Sequence, residues 1–346
     1  MKVTKAMVTL LTGAALQVTA FPSILKRDSA CNNHAELCQR QYSNITFVGT
    51  HDAYAFGHSV ASNQPVGITD QLNDGVRAIQ IQGHKGGKGS SGVELCHTSC
   101  SLKDGGSLED ALKQIKSFLD KNTQDVVTLI IANNDNLPAS NYAKAFEETG
   151  LNKLAFKTGK SGKLSKKHWP TLHEMIKKNY RLVVFMDYKT SPSSVPYILP
   201  EFKNIWENAY DQKHIPFNCT PDRYDGNPSS LMFLDNHFLE KETDILGHDL
   251  VQPDKDNIES TNSVDTILSN TNRCAKKHGS YPNFLLVDYY TAAKGGALAA
   301  AAKMNGVKYT DHKLSHHDKN SSESSASTLR VSWISIAMAL VFFMLM

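Results

Sequence analysis

Seven short apolar runs constrain this chain more than any other feature, and most of them end in polar residues. They are "ITFVG" (45–49), "VRAIQIQGH" (76–84), "VELCHTS" (93–99), "VVTLIIANND" (126–135), "RLVVFMDY" (181–188), "LMFLDNHF" (231–238) and "NFLLVDYY" (283–290). Runs so short and so uniformly apolar read as parallel strands buried on both faces. Gly49 is read as the stop of the first. A weaker run near 244–252 brings the count to about eight, which points to a closed barrel. Helical patterns lie between the runs. In "SLEDALKQIKSFLDKN" (107–122), Ser107 and Asp110 form a capping-box pattern, and Leu108, Leu112, Ile115 and Leu119 make one apolar stripe. "TLHEMIKKNY" (171–180) and "VDTILSNTNRCAKKHG" (264–279) also read as helices. "AAKGGALAAAAKMNG" (292–306) reads as an Ala-rich closing helix with Gly306 as its C-cap. Alternating strands and helices predict an α/β fold, an irregular (β/α)8 barrel of TIM type in a single domain.

The ends of the chain carry other signals. Lys2 and Lys5 precede an apolar run, and Val18-Thr19-Ala20 resembles a small-residue cleavage site, so residues 1–20 read as a secretory signal peptide. The dibasic pair Lys26-Arg27 marks a propeptide over 21–27, with the barrel over 28–310. The final run "VSWISIAMALVFFMLM" (331–346) is shorter than the roughly 20 residues of a spanning helix. With the polar stalk over 311–330 before it, it reads as a glycolipid (GPI) anchor signal, with Asn320, Ser321 and Ser322 as candidate attachment sites. The expected location is therefore secreted, at the outer cell surface or wall, held to a membrane through the anchor, and the expected state is a monomer. A formal net charge of +3 is too small to suggest nucleic acid. Five lysines between Lys157 and Lys167 read as a solvated loop.

Six cysteines in a secreted chain imply disulfides rather than metal ligands, and no CxxC pair exists to make a zinc site. Cys31 with Cys38 and Cys96 with Cys100 are local pairs, which leaves Cys219 with Cys274. Asn44 and Asn218 head glycosylation sequons, as does Asn320.

In a βα barrel the chemistry sits at the C-terminal ends of the strands. His51 and Asp52 follow the first run, Gln80 and Gln82 lie on the second, and His97 ends the third. Asn134 and Asp135 follow the fourth, Asp187 ends the fifth, Asn236 and His237 end the sixth, and Asp288 ends the last. Two histidines from different strands, each near a carboxylate, suit general acid–base catalysis. One imidazole takes a proton from an attacking hydroxyl and the other protonates the leaving oxygen. Metal-free phosphodiester cleavage uses such a pair, plus a group that stabilises charge at phosphorus.

"VGTHDAY", followed by "DGVRAIQIQGH" and "ELCHTSC", resembles the phosphatidylinositol-specific phospholipase C X-domain family. From about Cys31 to Tyr309 the chain is similar to the secreted fungal branch of PLC-like phosphodiesterases, with "WPTLHEMI", "RLVVFMDY", "NHF" and "YPNFLLVDYY" as further marks. The resemblance implies an irregular βα barrel, with His51 as general base and His97 as general acid. It also implies functional roles for Asp52, beside the base, and Asp288, paired with it. The second run departs from the family. Metal-independent bacterial members carry an Asp-x-Arg there, and calcium-dependent relatives carry acidic ligands. This chain has Gln80-Ile81-Gln82. Glutamine is a poor ligand for a hard cation and carries no charge to neutralise a phosphate, so no metal or other cofactor is expected.

The leading expectation is a phosphoric diester hydrolase acting on phosphoinositide-type lipids or glycerophosphodiesters. Gln80, Gln82, Asn134, Asp187 and His237 are its candidate substrate-binding residues. The alternative is a catalytically impaired binding protein on the same barrel. A glycoside hydrolase would need two carboxylates flanking one bond, with Asp187 and Asp288 as the candidates.

Overall fold

The computed structural model describes residues 30–316, apart from 98, 99, 102, 246 and 247. The expected signal peptide, propeptide and anchor signal, with Asn320, Ser321 and Ser322, lie outside the described residues.

In chain order the elements are β1 (Phe47–Thr50), α1 (Ile68–Asn73), β2 (Ala78–Lys85), β3 (Val93–Cys96), β4 (Asp104–Ser107), α2 (Leu108–Lys121), β5 (Val127–Asn133), α3 (Ala139–Thr149), α4 (Leu172–Lys177), β6 (Leu182–Met186), β7 (Ile198–Pro200), β8 (Ile205–Glu207), β9 (Met232–Asn236), β10 (Glu240–Ile245), β11 (His248–Pro253), α5 (Ile258–Thr261), α6 (Val264–His278), β12 (Phe284–Val287) and α7 (Ala292–Asn305). Eight strands pair in the order β7-β6-β5-β2-β1-β12-β9-β8, and every pairing along this path is parallel. The sheet curls as an irregular TIM-type barrel, a half-barrel whose path ends at β7 and β8.

Both faces of the sheet are covered, and strand alternation shares each strand between two cores. Ile79 and Ile81 of β2 pack with Leu129, Ile131, Leu112 and Ala300 on the helix side. Ala78 packs on the other side with Ile130, Phe185, Leu234 and Phe284. Gln80 and Gln82 share the parity of Ala78 and therefore belong to the barrel interior.

Three sequence expectations are corrected. "VELCHTS" is not a barrel strand: β3 runs antiparallel to β2, with Gly83 opposite Leu95, and β4 returns against it. The connection is "GGKGSSG" (86–92), and four glycines in seven residues signal a hairpin rather than a helical crossover. The run near 244–252 lies in β10 and β11, an antiparallel hairpin in its own two-stranded sheet. The seventh and eighth places on the parallel path are taken by β7 and β8, which at three residues each escape any periodicity test. Gly49 does not stop β1, which continues to Thr50. It is glycine because a Cβ there would lie 3.0 Å from Leu286 Cδ1 and 3.2 Å from Ala78 Cβ.

At α2, Ser107 accepts a hydrogen bond from Asp110 N, one half of the expected box. The reciprocal box forms at α4, between Thr171 and Glu174. Gly306 closes α7 in the left-handed region at φ 61°. The disulfides Cys31–Cys38, Cys96–Cys100 and Cys219–Cys274 are all formed.

Candidate active site

β1 delivers His51 and Asp52 to the barrel mouth, and β12, its parallel neighbour, delivers Asp288. His51 Nδ1 lies 3.0 Å from Asp288 Oδ1. The imidazole ring stacks on Phe238, with centroids 4.0 Å apart and planes 6° from parallel, so its orientation is fixed from two sides. Asp52 is fully buried and sits in the left-handed region at φ 43°. An Asp tolerates that conformation better than most residues, and such positions concentrate at functional sites. Tyr289, next to Asp288, adopts the same region at φ 42°.

The second run forms the floor beneath Asp52. Gln80 Oε1 accepts from Asp52 N at 2.7 Å, and Gln82 Nε2 donates to Asp52 Oδ2 at 2.9 Å. Asn134 Nδ2 donates in turn to Gln82 Oε1 at 3.1 Å. His97 reaches the same carboxylate from the β3–β4 hairpin, beside the Cys96–Cys100 bridge. His51 Nε2 is 3.7 Å and His97 Nε2 3.5 Å from Asp52 Oδ2, so the two nitrogens are no more than about 7 Å apart. One phosphate group spans that distance with a hydrogen bond on either side.

The electrostatics set the two histidines apart. Burial pushes His51 down, but the charges of Asp52 and Asp288, the Asp288 hydrogen bond and the charge of Glu240 together raise it to about 9. For His97 burial wins over the attraction of Asp52, and the neighbouring His51 lowers it further, so it falls below the ordinary histidine value. Burial raises Asp52, opposed by both imidazoles. Glu240 is raised to about 7, first by burial, with His51 opposing.

A cavity of about 450 Å³ opens beside His51, Gln80 and Gln82. Asn134 and Asp187 also line it. Asp187 is held by the Asn133 and Tyr188 backbone N–H groups at 2.9 and 2.7 Å. His237 does not reach the cavity. It is fully buried, its Nε2 lies 3.1 Å from Thr261 O, and its ring lies against Phe217, so it braces a loop against α5. The pairing needed by a glycoside hydrolase is also absent, because Asp288 is 1% exposed and engaged by His51.

Several residues in or behind the lining had no sequence signal. Arg223 comes from the loop after β8, donates through Nε and Nη2 to Glu207 Oε2, and stacks over Tyr210 at 4.7 Å. Glu201 is 2% exposed and raised well above the ordinary carboxyl value, first by burial and then by the charge of Glu207. Asn63 Nδ2 donates to Asp288 Oδ1 at 3.0 Å. Only Phe238 was within reach of sequence reading, in the "NHF" that follows β9. Among the described residues, the one group of potential metal donors is Glu94, Cys96 and Cys100, whose cysteines are bridged to each other and offer no thiolate. Among them too, no helix is long and apolar enough to cross a membrane.

The PI-PLC X 1 family model matches residues 37–305, and the chain belongs to this family. It is 35% identical over 300 residues to a "PI-PLC X domain-containing protein 1" of Arthroderma benhamiae, covering 85% of this chain and 94% of that one. It is 36% identical over 289 residues to an "Uncharacterized secreted protein" of the same fungus, covering 81% of this chain but only 64% of the relative's length. A phosphatidylinositol-specific phospholipase C from Staphylococcus aureus has a similar fold, with a TM-score of 0.53 at 14% identity over 78% of this chain and 95% of that one.

Proposed function

We propose that this protein is a phosphoric diester hydrolase that cleaves phosphoinositide-type lipids or glycerophosphodiesters with His51 and His97 as its acid–base pair, without a metal. One observation carries the reading: two imidazole Nε2 atoms from different elements face the same Asp52 oxygen, and one of the two rings, His51, lines an open cavity. Asp288 holds the Nδ1 proton of His51, which leaves Nε2 free to take a proton from an attacking hydroxyl. His97 then protonates the leaving oxygen. Asp52, between the rings, favours the charged form of whichever carries the proton. The groups nearest the histidines on strand β2 are neutral amides, which suit hydrogen bonding to a head group better than a hard cation.

His51 binds its proton more tightly than His97, so the free protein with one proton on the pair holds it mainly on His51. The arrangement with His97 charged and His51 neutral carries the same number of protons. Activity therefore rises as the pair loses its first proton and falls as it loses its second, giving a bell with its alkaline limb near 9.

The reading extends to location: a secreted chain, anchored at the outer cell surface by a glycolipid and glycosylated at Asn44 and Asn218, both exposed. An anchor-cleaving phospholipase should release it in soluble form. Retention with residues 331–346 still attached would reject the anchor.

The decisive assay offers the purified protein a panel of phosphodiesters, with and without chelator. Turnover that resists the chelator is expected, and chelator-sensitive turnover would reject the metal-free mechanism. The binding-protein reading is favoured by one observation: Gln82, with no charge to offer a phosphate, spends its amide on Asp52. No turnover on any diester, in the native chain or in Gln82→Arg, would select it.

A further inference from the structure

Asn63 lies on the loop after β1 and is 1% exposed. Its backbone N donates to Ala55 O at 2.7 Å, and its carbonyl accepts from Tyr289 N at 2.8 Å. It thus ties the loop that carries His51 to the turn that carries Asp288. Its Nδ2 lies 3.0 Å from Asp288 Oδ1 and 3.2 Å from His51 Nδ1, while its Oδ1 is buried without a partner among the described residues. A buried amide oxygen left unbonded costs stability, and an apolar side chain of similar shape would avoid that cost. Packing alone therefore does not account for an amide here. Two donors cannot bond each other, so the Asn63 amino group and His51 Nδ1–H both point at the one Asp288 oxygen.

We infer that Asn63 is a positioning residue for His51: its amide holds the Asp288 carboxylate in line with Nδ1 and leaves Nε2 as the nitrogen that works on substrate. It acts through Asp288 and touches no reacting atom. Four titratable groups face His51: Asp52 on its own loop, Asp288 after β12, His97 after β3 and Glu240 on β10. Against three carboxylates, the amino end of the Asn63 amide is a positive dipole end beside Nδ1. Removing it makes His51 hold its proton more tightly and lowers the share of neutral base.

The test uses the intact protein and two variants, Asn63→Leu and Asn63→Ala, both of which keep the backbone bonds. The His51 titration and tautomer are read by nitrogen NMR of the imidazoles. The His51 pKa should rise by about one unit in either variant, which lowers kcat at neutral pH about tenfold, moves the alkaline limb upward and leaves KM within about twofold. An unchanged His51 titration and tautomer in the folded variant overturns the inference, as does a downward shift. If Asn63→Leu does not fold, Asn63→Ala decides. The kcat arm rests on the hydrolase reading, but the titration does not: a chain that turns over no diester sinks that reading and still reports whether Asn63 sets His51.

Discussion

Two parts of the candidate site are built in different ways. At the β1–β12 corner, His51, Asp52 and Asp288 are the first residues after adjacent parallel strands, and a strand-end position places each of them. At the β8 edge, two strands beyond β12 along the sheet, the cation is Arg223, carried by a loop that the Cys219–Cys274 bridge ties to α6. The first part is compact and dominated by paired imidazoles and carboxylates. The second sets a guanidinium against Glu207 and the buried Glu201, whose carboxyl burial and the charge of Glu207 push well above the ordinary value. A strand end can be placed within a fraction of an ångström by its ladder, which suits proton transfer. A stapled loop supplies whatever group the substrate requires, which suits selection.

The comparison breaks most readily at His51. If the β1–β12 corner performs the chemistry, His51→Ala abolishes turnover, and His97→Ala slows it most for poor leaving groups, each by about 10²–10⁴-fold. Full activity of His51→Ala on a phosphodiester would dissolve the distinction. Next in size is Gln82→Arg. A cation beside the phosphate should raise kcat by about tenfold, somewhat less than the 10²–10³ that a full oxyanion donor supplies. A rate that falls would mean that arginine pairs with Asp52 and robs the histidines of their shared carboxylate. At the β8 edge, Arg223→Gln should raise KM for a substrate with a full head group by about fivefold and leave kcat nearly unchanged, since Arg223 bonds Glu207 and stacks over Tyr210 rather than engaging the imidazoles. An equal loss in kcat on a minimal diester would move Arg223 into the chemistry. The smallest effect concerns pH: the native bell should place its alkaline limb near 9, and a limb at the ordinary histidine value would show that Asp52 and Asp288 do not act together on His51.

The β1–β12 corner was legible because its information is local. "GTHD" at the end of an apolar run and "LLVDYY" at the end of another each place a polar residue one step past a buried strand. Strand parity then put Gln80 and Gln82 inside the barrel. His97 was found for a partly wrong reason, since its strand belongs to a hairpin beside the barrel and not to the parallel path. His237 shows the limit of the same logic. It also follows a strand, yet it turns to Thr261 and Phe217, because neighbouring positions past a strand end point to opposite sides.

The sequence by itself determined the alternation of strands and helices, the three cysteine pairs and the histidines at strand ends, because each depends on spacing along the chain. Only the tertiary structure decided that β7 and β8 complete the parallel path, that one Asp52 oxygen faces both imidazoles, and that Asn63, Glu207 and Arg223 join the site. Those facts depend on residues far apart in the chain meeting across the curl of the sheet, and three-residue strands and loop side chains carry no period from which to read such a meeting.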